Sequence, residues 1–424
     1  MHNSLHEATV ALYNETVMFG LGSLRAKKRY GVIVDIGSSS VLIGIVGSDP
    51  TVSHPDIIWA KREHTPLTGD PSTKETAKNV LSTLLTALME LDANGRSALR
   101  AVDSQATLSN LQVTVAAPWS YTVTKTIRYD RKEEFRVTRD LIDELLSSAK
   151  EKTENELREN ELTEKLGLAI TARMATNLTA NGYELEAPTG QTTRALSLSH
   201  SSVITQAYLR DAITDAHEKV VPNADLTTYS FMLVYYCVMR DLHPNLTDYC
   251  LVDVTFEATE IAIVRDGVLC YCTHVPFGAY SLAREVAAVT NLPLSEAYAH
   301  VTGPDLASLR EQATDKQNAE LDTLFRKYEE RLANLLRETG DTLSIPKQLF
   351  VHSTLMTEGF FRERIERASH AVTRNHHIVT TATLPLITAT YPADEVEKQK
   401  KRGADSALFV SAQFFHQCEH CDKV

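Results

Sequence analysis

The 424-residue chain has six scattered cysteines, two tryptophans and no uninterrupted apolar run of membrane-spanning length. So few thiols in so long a chain exclude a disulfide framework and agree with a reducing compartment. No window approaches the roughly 18 apolar residues of a membrane helix, and residues 1–30 lack the apolar run of a secretory signal. The expected location is the cytoplasm. Basic charge is also short: 43 Lys and Arg against 55 Asp and Glu give a net charge of −12, which speaks against the basic stripe of a nucleic-acid binder. The glycine-lysine-serine/threonine ending of a P-loop is missing, as are a serine-hydrolase elbow, a zincin motif and a dinucleotide fingerprint.

What is there belongs to an ordinary globular protein, 43% hydrophobic and 23% charged, and its length exceeds what one core supports, so two or more domains are expected. Val32-Ile33-Val34-Asp35-Ile36-Gly37-Ser38-Ser39-Ser40-Val41-Leu42-Ile43-Gly44-Ile45-Val46 returns, altered, as Leu251-Val252-Asp253-Val254-Thr255-Phe256-Glu257-Ala258-Thr259-Glu260-Ile261-Ala262-Ile263-Val264. Each copy is an apolar run holding a carboxylate, a short loop and a second apolar run. Such a strand-turn-strand unit gathers one acid and several backbone amides around an anion. Gly37 supplies backbone freedom, and Ser38, Ser39 and Ser40 offer hydroxyls and unobstructed amides to phosphate oxygens. Asp35 is a candidate for holding Mg²⁺ through water.

Elsewhere, Ser72-Thr73-Lys74-Glu75 has capping-box spacing, and Ala77 to Leu91 follow at helical period until Asn94-Gly95. Leu111 to Ala116 reads as a strand. Between about Thr122 and His217 the pattern becomes that of an inserted α+β module: strand Thr122–Tyr129, helix Thr138–Lys150, a solvated charged run Glu151–Lys165, further strands, and a helix from about Ser202. Asp266-Gly267 is a strong hairpin turn between Leu251 and Val275. Residues 281–301 and 317–339 read as helices, Gln348 to Val351 as a strand, Gly359 to Ala368 as a helix, Ile378 to Leu386 as a strand and Ala404 to Gln417 as a closing helix. Cys270 and Cys272 share one strand and read as core residues. Residues 5–29 form a loose apolar series with a basic end, either a membrane-surface helix or a docked leader. Cys418-Glu419-His420-Cys421, with His416 nearby, has zinc spacing, but a single pair reads as a tail; His376-His377 reads as a surface pair.

The aspartate, the small-residue loop and the duplicated hairpin with an insertion between its copies resemble the bacterial actin-like ATPase superfamily, over about residues 29 to 417. Within it the chain is similar to the PilM family of type IV pilus assembly and the FtsA family of cell division. Asn291-Leu292-Pro293-Leu294-Ser295-Glu296-Ala297 resembles both, and the short basic-ended leader looks more like PilM. The resemblance implies a duplicated, ribonuclease H-like α/β fold with a small inserted α+β subdomain. It divides the chain into a leader (1–29), a first domain (30–121, 208–250 and 384–424), the insertion (122–207) and a second domain (251–383). It implies ATP and Mg²⁺ as ligands, with Asp35, Gly37, Ser38, Ser39 and Ser40 as the first phosphate loop and Asp253 with Thr255 as the second. Asp35 and Asp253 would hold Mg²⁺ through water. The third, adenosine-side element falls at Val351-His352-Ser353-Thr354-Leu355, with Ser353 in contact.

Both later loops lack the family's glycines. Glu257 held about 4 Å from a phosphate charge would cost about 4 kcal/mol at an effective dielectric near 20, about a thousandfold in affinity. The expectation is therefore a scaffold with weak or degenerate ATP binding that binds a cytoplasmic peptide of an inner-membrane pilus protein at the inner face of the membrane, with self-association into dimers or filaments open. The alternatives are an FtsA-like protein contacting the tubulin-like division ring, and an active ATPase or kinase of the superfamily. An FtsA-type terminal amphipathic helix is not expected from the tail His416 to Val424, which leaves residues 5–29 as the anchor for direct membrane contact.

Overall fold

The structure is a computed structural model that describes residues 28–67, 73–159, 161–184, 188–303, 306–337, 345–353, 358–372, 378–381 and 383–417. Nearly all of the leader, Ser72, Thr354, Leu355, the His376-His377 pair and the Cys418/Cys421 pair lie outside the described residues. Among the described residues the strands are β1 (Arg29–Ile36), β2 (Ser40–Ser48), β3 (Asp56–His64), β4 (Leu108–Val115), β5 (Ser120–Arg136), β6 (Leu168–Ala180), β7 (Tyr183–Glu184), β8 (Thr192–Gln206), β9 (Asp225–Ser230), β10 (Tyr249–Val254), β11 (Thr259–Arg265), β12 (Val268–Val275), β13 (Gln348–His352) and β14 (Ile378–Thr381).

They form three sheets, ordered β3-β2-β1-β4-β9, β12-β11-β10-β13-β14 and β5-β8-β6-β7. The first two are one design used twice. In each, a central strand pairs antiparallel with the hairpin strand after it and parallel with a later strand on its other side. Asp35 lies opposite Leu42 and Thr114; Asp253, at the matching register, lies opposite Glu260 and His352. The hairpins close alike too, Gly37 N–H on Ser40 O and Thr255 N–H on Ala258 O, both at 2.9 Å.

The near-continuous apolar character of β1, β2, β10 and β11 follows from burial on both faces. Val32, Val34 and Ile36 pack on an outer layer with Val80, Leu84 and Leu88 of helix Thr73–Glu90. Ile33 and Leu42 turn inward, where Leu251 and Ala262 of the second sheet meet the same core. Helices Phe231–Leu242 and Ser406–Gln417 belong to that shared core, between the two sheets. The first of them begins on a Ser230 cap, whose hydroxyl accepts the Leu233 N–H at 3.2 Å.

Several local expectations need correction. Gly95 does not end the helix before it: a π turn, Leu91–Gly95, passes the chain into helix Arg96–Val102. A Cβ on Gly95 would stand 2.9 Å from the Trp59 ring, so the glycine serves close packing. The charged run Glu151–Lys165, read as a solvated helix end or loop, is a helix end: it continues helix Arg139–Glu159, whose buried face reaches Thr153. Ser202 lies inside β8, and the helix there starts at Ala207. Residues 281–301 divide into Ala279–Thr290 and Leu294–Thr302, between which Asn291 takes the left-handed conformation at φ 61°. Of Ile378 to Leu386 only Ile378–Thr381 is a strand, and Thr383–Ile387 is helical. Cys270 is exposed and so is not a core residue, whereas Cys272 is half-buried and packs against the shared core as expected. The Asp266-Gly267 turn is as expected, with φ 49° and 74°, the double positive φ of a tight hairpin.

Candidate functional site

The register of the two central strands brings Asp35 and Asp253 to the same end of their sheets, each beside its hairpin loop. Both carboxylates are buried and both are engaged. Asp35 accepts from Thr114 Oγ1 at 3.0 Å and pairs with Arg62 at 3.2 Å. Arg62, on β3, also reaches Asp405 at 2.6 Å and donates to Ser40 Oγ at 2.7 Å. One guanidinium thus ties the first hairpin to the start of the C-terminal helix. Burial pushes the Asp35 carboxyl above its ordinary range in spite of Arg62. Asp405 feels burial as well, but Arg62, the closer partner, brings it below that range. Asp253 takes His352 Nδ1 at 2.7 Å.

The loops themselves are closed on each other. Ser38 Oγ donates to Thr255 Oγ1 at 2.9 Å and accepts the Glu257 N–H at 2.8 Å. Ser39 O accepts from both the amide and the hydroxyl of Thr65, at 3.0 and 3.2 Å. Gly37 O accepts from Trp119 Nε1 at 3.1 Å. Gly37 does not adopt a positive φ, so the expected need for backbone freedom is replaced by one of space: a Cβ there would lie 3.2 Å from Ser40 Oγ. Ser353 is buried and donates to Val254 O at 3.1 Å, which binds it to the end of β10. Ser38, Ser39 and Ser40 are all buried.

A helix N-terminus is an ordinary anion site, and helix Ala279–Thr290 points one at the second loop. Its first amides are already spent: Ala279 N–H on Thr255 O at 3.0 Å and Tyr280 N–H on Phe256 O at 2.7 Å. Phe256 is buried against Tyr280, with centroids 4.8 Å apart, and His64, at 5.5 Å. Glu257 turns away from the first loop. Arg284 donates to it through both Nη groups, at 2.9 and 2.5 Å, and Ser281 through its hydroxyl at 3.2 Å. The phosphate repulsion estimated from the sequence therefore gives way to a bidentate ion pair.

These residues do not fit ATP and Mg²⁺ as they stand. Both carboxylates offered to the metal have protein partners, and of the second-loop amides Thr255, Glu257 and Ala258 each has a protein acceptor. Among the described residues no group of three or more His, Cys, Asp or Glu is arranged to hold a metal ion. The sequence reading missed Arg62, Asp405 and Arg284; an arginine four residues beyond the first helical amides was the one local signal for the last.

Glu260, opposite Asp253, was also missed. It is 1% exposed; burial, with the Asp253 charge second, pushes its pKa well above the ordinary 4.5, against the weaker pull of the Ala117 backbone. A carboxyl whose folded pKa is raised costs nothing below its unfolded pKa and destabilises the fold increasingly as pH rises through and beyond it. Glu260→Gln is thus expected to stabilise the protein at about pH 8 and to change little near pH 4. Urea midpoints across that range check it. A gain that is the same at every pH would contradict the assignment.

No protein-family model matches the chain, and no curated protein sequence matches it. Solved structures do. The PilM–PilN type IV pilus biogenesis complex matches at a TM-score of 0.52 and 10% identity, over 92% of this chain and 98% of that one. The ethanolamine utilization protein EutJ from Carboxydothermus hydrogenoformans gives 0.40 and 14%, over 91% of both chains. A protein of actin-like ATPase fold and unknown function from Bacteroides thetaiotaomicron gives 0.40 and 9%, over 90% and 99%. The chain has the actin-like ATPase fold.

Proposed function

We propose that this actin-fold chain is a cytoplasmic scaffold of PilM type, which binds a cytoplasmic peptide of an inner-membrane pilus-assembly protein and does not turn over ATP. The observation that carries the reading is the closure of the two hairpin loops through Ser38, Thr255 and the Glu257 amide. A phosphate entering between them has to break those bonds and compete with the carbonyls that occupy the helix N-terminus. The protein uses the duplicated hairpin to join its two domains. No helix among the described residues is long and apolar enough to cross a membrane. A likeness in fold to one half of a pilus complex agrees with this role.

Two measurements test it. Incubation with ATP and Mg²⁺ is expected to release no phosphate above the protein-free rate. Turnover that disappears in Asp35→Asn would overturn the scaffold reading in favour of an ATPase. For the partner, immobilised chain is expected to retain a synthetic N-terminal peptide of the inner-membrane pilus protein and to ignore the tail peptide of the tubulin-like division protein. The reverse pattern would transfer the chain to the division role.

A further inference from the structure

A cavity of about 490 Å³ on the second domain is lined by eight residues, seven of them charged. It lies among helices Ala307–Gln312, Asp315–Arg337 and Glu358–Val372. Helical period explains the convergence: Asp322, Phe325, Arg326 and Glu329 share one face of the long helix, and Glu363, Arg364 and Arg367 one face of the next. Its four arginines face three carboxylates. Arg310 pairs with Asp322 at 2.7 Å, Arg364 with Glu329 at 2.7 Å, and Arg367 with Glu329 at 3.5 Å and with Glu363. Arg326 makes no ion pair among the described residues.

We propose that this cavity binds a compact, multiply charged oxyanion, a phosphate group carried by a small molecule. The lining sets four arginines against three carboxylates, a positive surplus in a chain whose net charge is −12. Its guanidiniums are oriented before any ligand arrives. Arg364 is 6% exposed and lies over Phe325 and Phe360, at 4.8 and 5.2 Å from the ring centroids; Arg310 lies over Phe325 at 5.8 Å. Rings that fix the cationic planes reduce the ordering cost of binding. Each guanidinium has five donors; Arg310 and Arg364 each give one nitrogen to a carboxylate, and Arg326 gives none. The remaining donors outnumber what the two oxygens of a monocarboxylate can accept and suit an acceptor-only oxyanion with three or more oxygens. The size is within the range of small-molecule pockets. The site is separate from the hairpin cleft, and the inference does not rest on the scaffold reading.

Calorimetric titration of the full chain with pyrophosphate tests this. Wild type is expected to bind with a Kd below about 1 mM, and the Arg326→Ala/Arg367→Ala double variant at least about tenfold more weakly, by about 1.4 kcal/mol. Both side chains are exposed, Arg367 by 54%, so folding is preserved. Arg331→Ala, which removes one charge outside the cavity, serves as control and is expected to leave the affinity unchanged. Titration with ATP without metal separates the sources: equal sensitivity to the double variant means that the phosphates alone are read, and insensitivity to it overturns the assignment for nucleotides. No heat at about 5 mM pyrophosphate, or an affinity unchanged in the double variant or equally weakened by Arg331→Ala, would overturn the site.

Discussion

Arg62→Ala is expected to lower the stability of the first domain by about 3 kcal/mol, the lower end of the loss seen when one partner of a buried ion pair is removed. The side chains of Arg62, Asp35 and Asp405 are 17%, 6% and 27% exposed, so the partial exposure of Asp405 sets the lower end. The loss comes less from the attraction forgone than from two carboxylates left poorly solvated. For the same reason Arg62→Met combined with Asp35→Asn and Asp405→Asn is expected to recover much of it, because a neutral set of similar volume has no stranded charge. Arg62→Lys is expected to fall between, since an ammonium cannot reach Asp405, Ser40 and Asp35 with three separate nitrogens. Both tryptophans, Trp59 and Trp119, pack in the outer core of the first sheet, so urea unfolding followed by tryptophan fluorescence reads that core. A midpoint for Arg62→Ala within error of wild type would show that the triad contributes nothing net.

That triad also shows where reading from sequence stops. The duplicated hairpins were legible because strand, carboxylate and turn are consecutive, and they carry the actin-like fold. Arg62 and Asp405 are separated by 343 positions, and Ser38 and Thr255 by 217. Nothing local marks such partners. Glu257 read as an obstacle to phosphate because a carboxylate seen alone has only its charge, and its partner Arg284 arrives on the next helix. Helix Phe231–Leu242 went unassigned for a different reason: Phe231 to Met239 are all buried, so there was no polar face to give the run a helical period. Ile378 to Leu386 reads as one strand because its first residues are β-branched, yet Thr383–Ile387 is helical, and Pro385 is tolerated in the first turn of a helix.

The loop closure has its own backbone constraint, at Gly278. Its φ of −147° is open to any residue, so the requirement is one of space: a Cβ there would lie 2.3 Å from Thr255 O and 2.8 Å from Phe256 O. Both atoms are backbone, and neither can rotate away. Gly278→Ala is therefore expected to push residues 255–258 off the helix N-terminus, with the loss of the Ala279–Thr255 and Tyr280–Phe256 bonds and, through the Glu257 amide, of the link to Ser38. The global cost is expected at about 1–3 kcal/mol, the usual range for overpacking. The local effect is larger in proportion. Amide exchange at Glu257, Ala279 and Tyr280 is expected to accelerate well beyond that of the β10 core, because opening is confined to the loop. Ser38→Ala removes only the interdomain contact and is expected to accelerate the Glu257 amide while Ala279 and Tyr280 stay protected. If Gly278→Ala leaves all three amides as slow as in wild type, the loops are not held by the helix, and the account of a cleft closed from within fails with it.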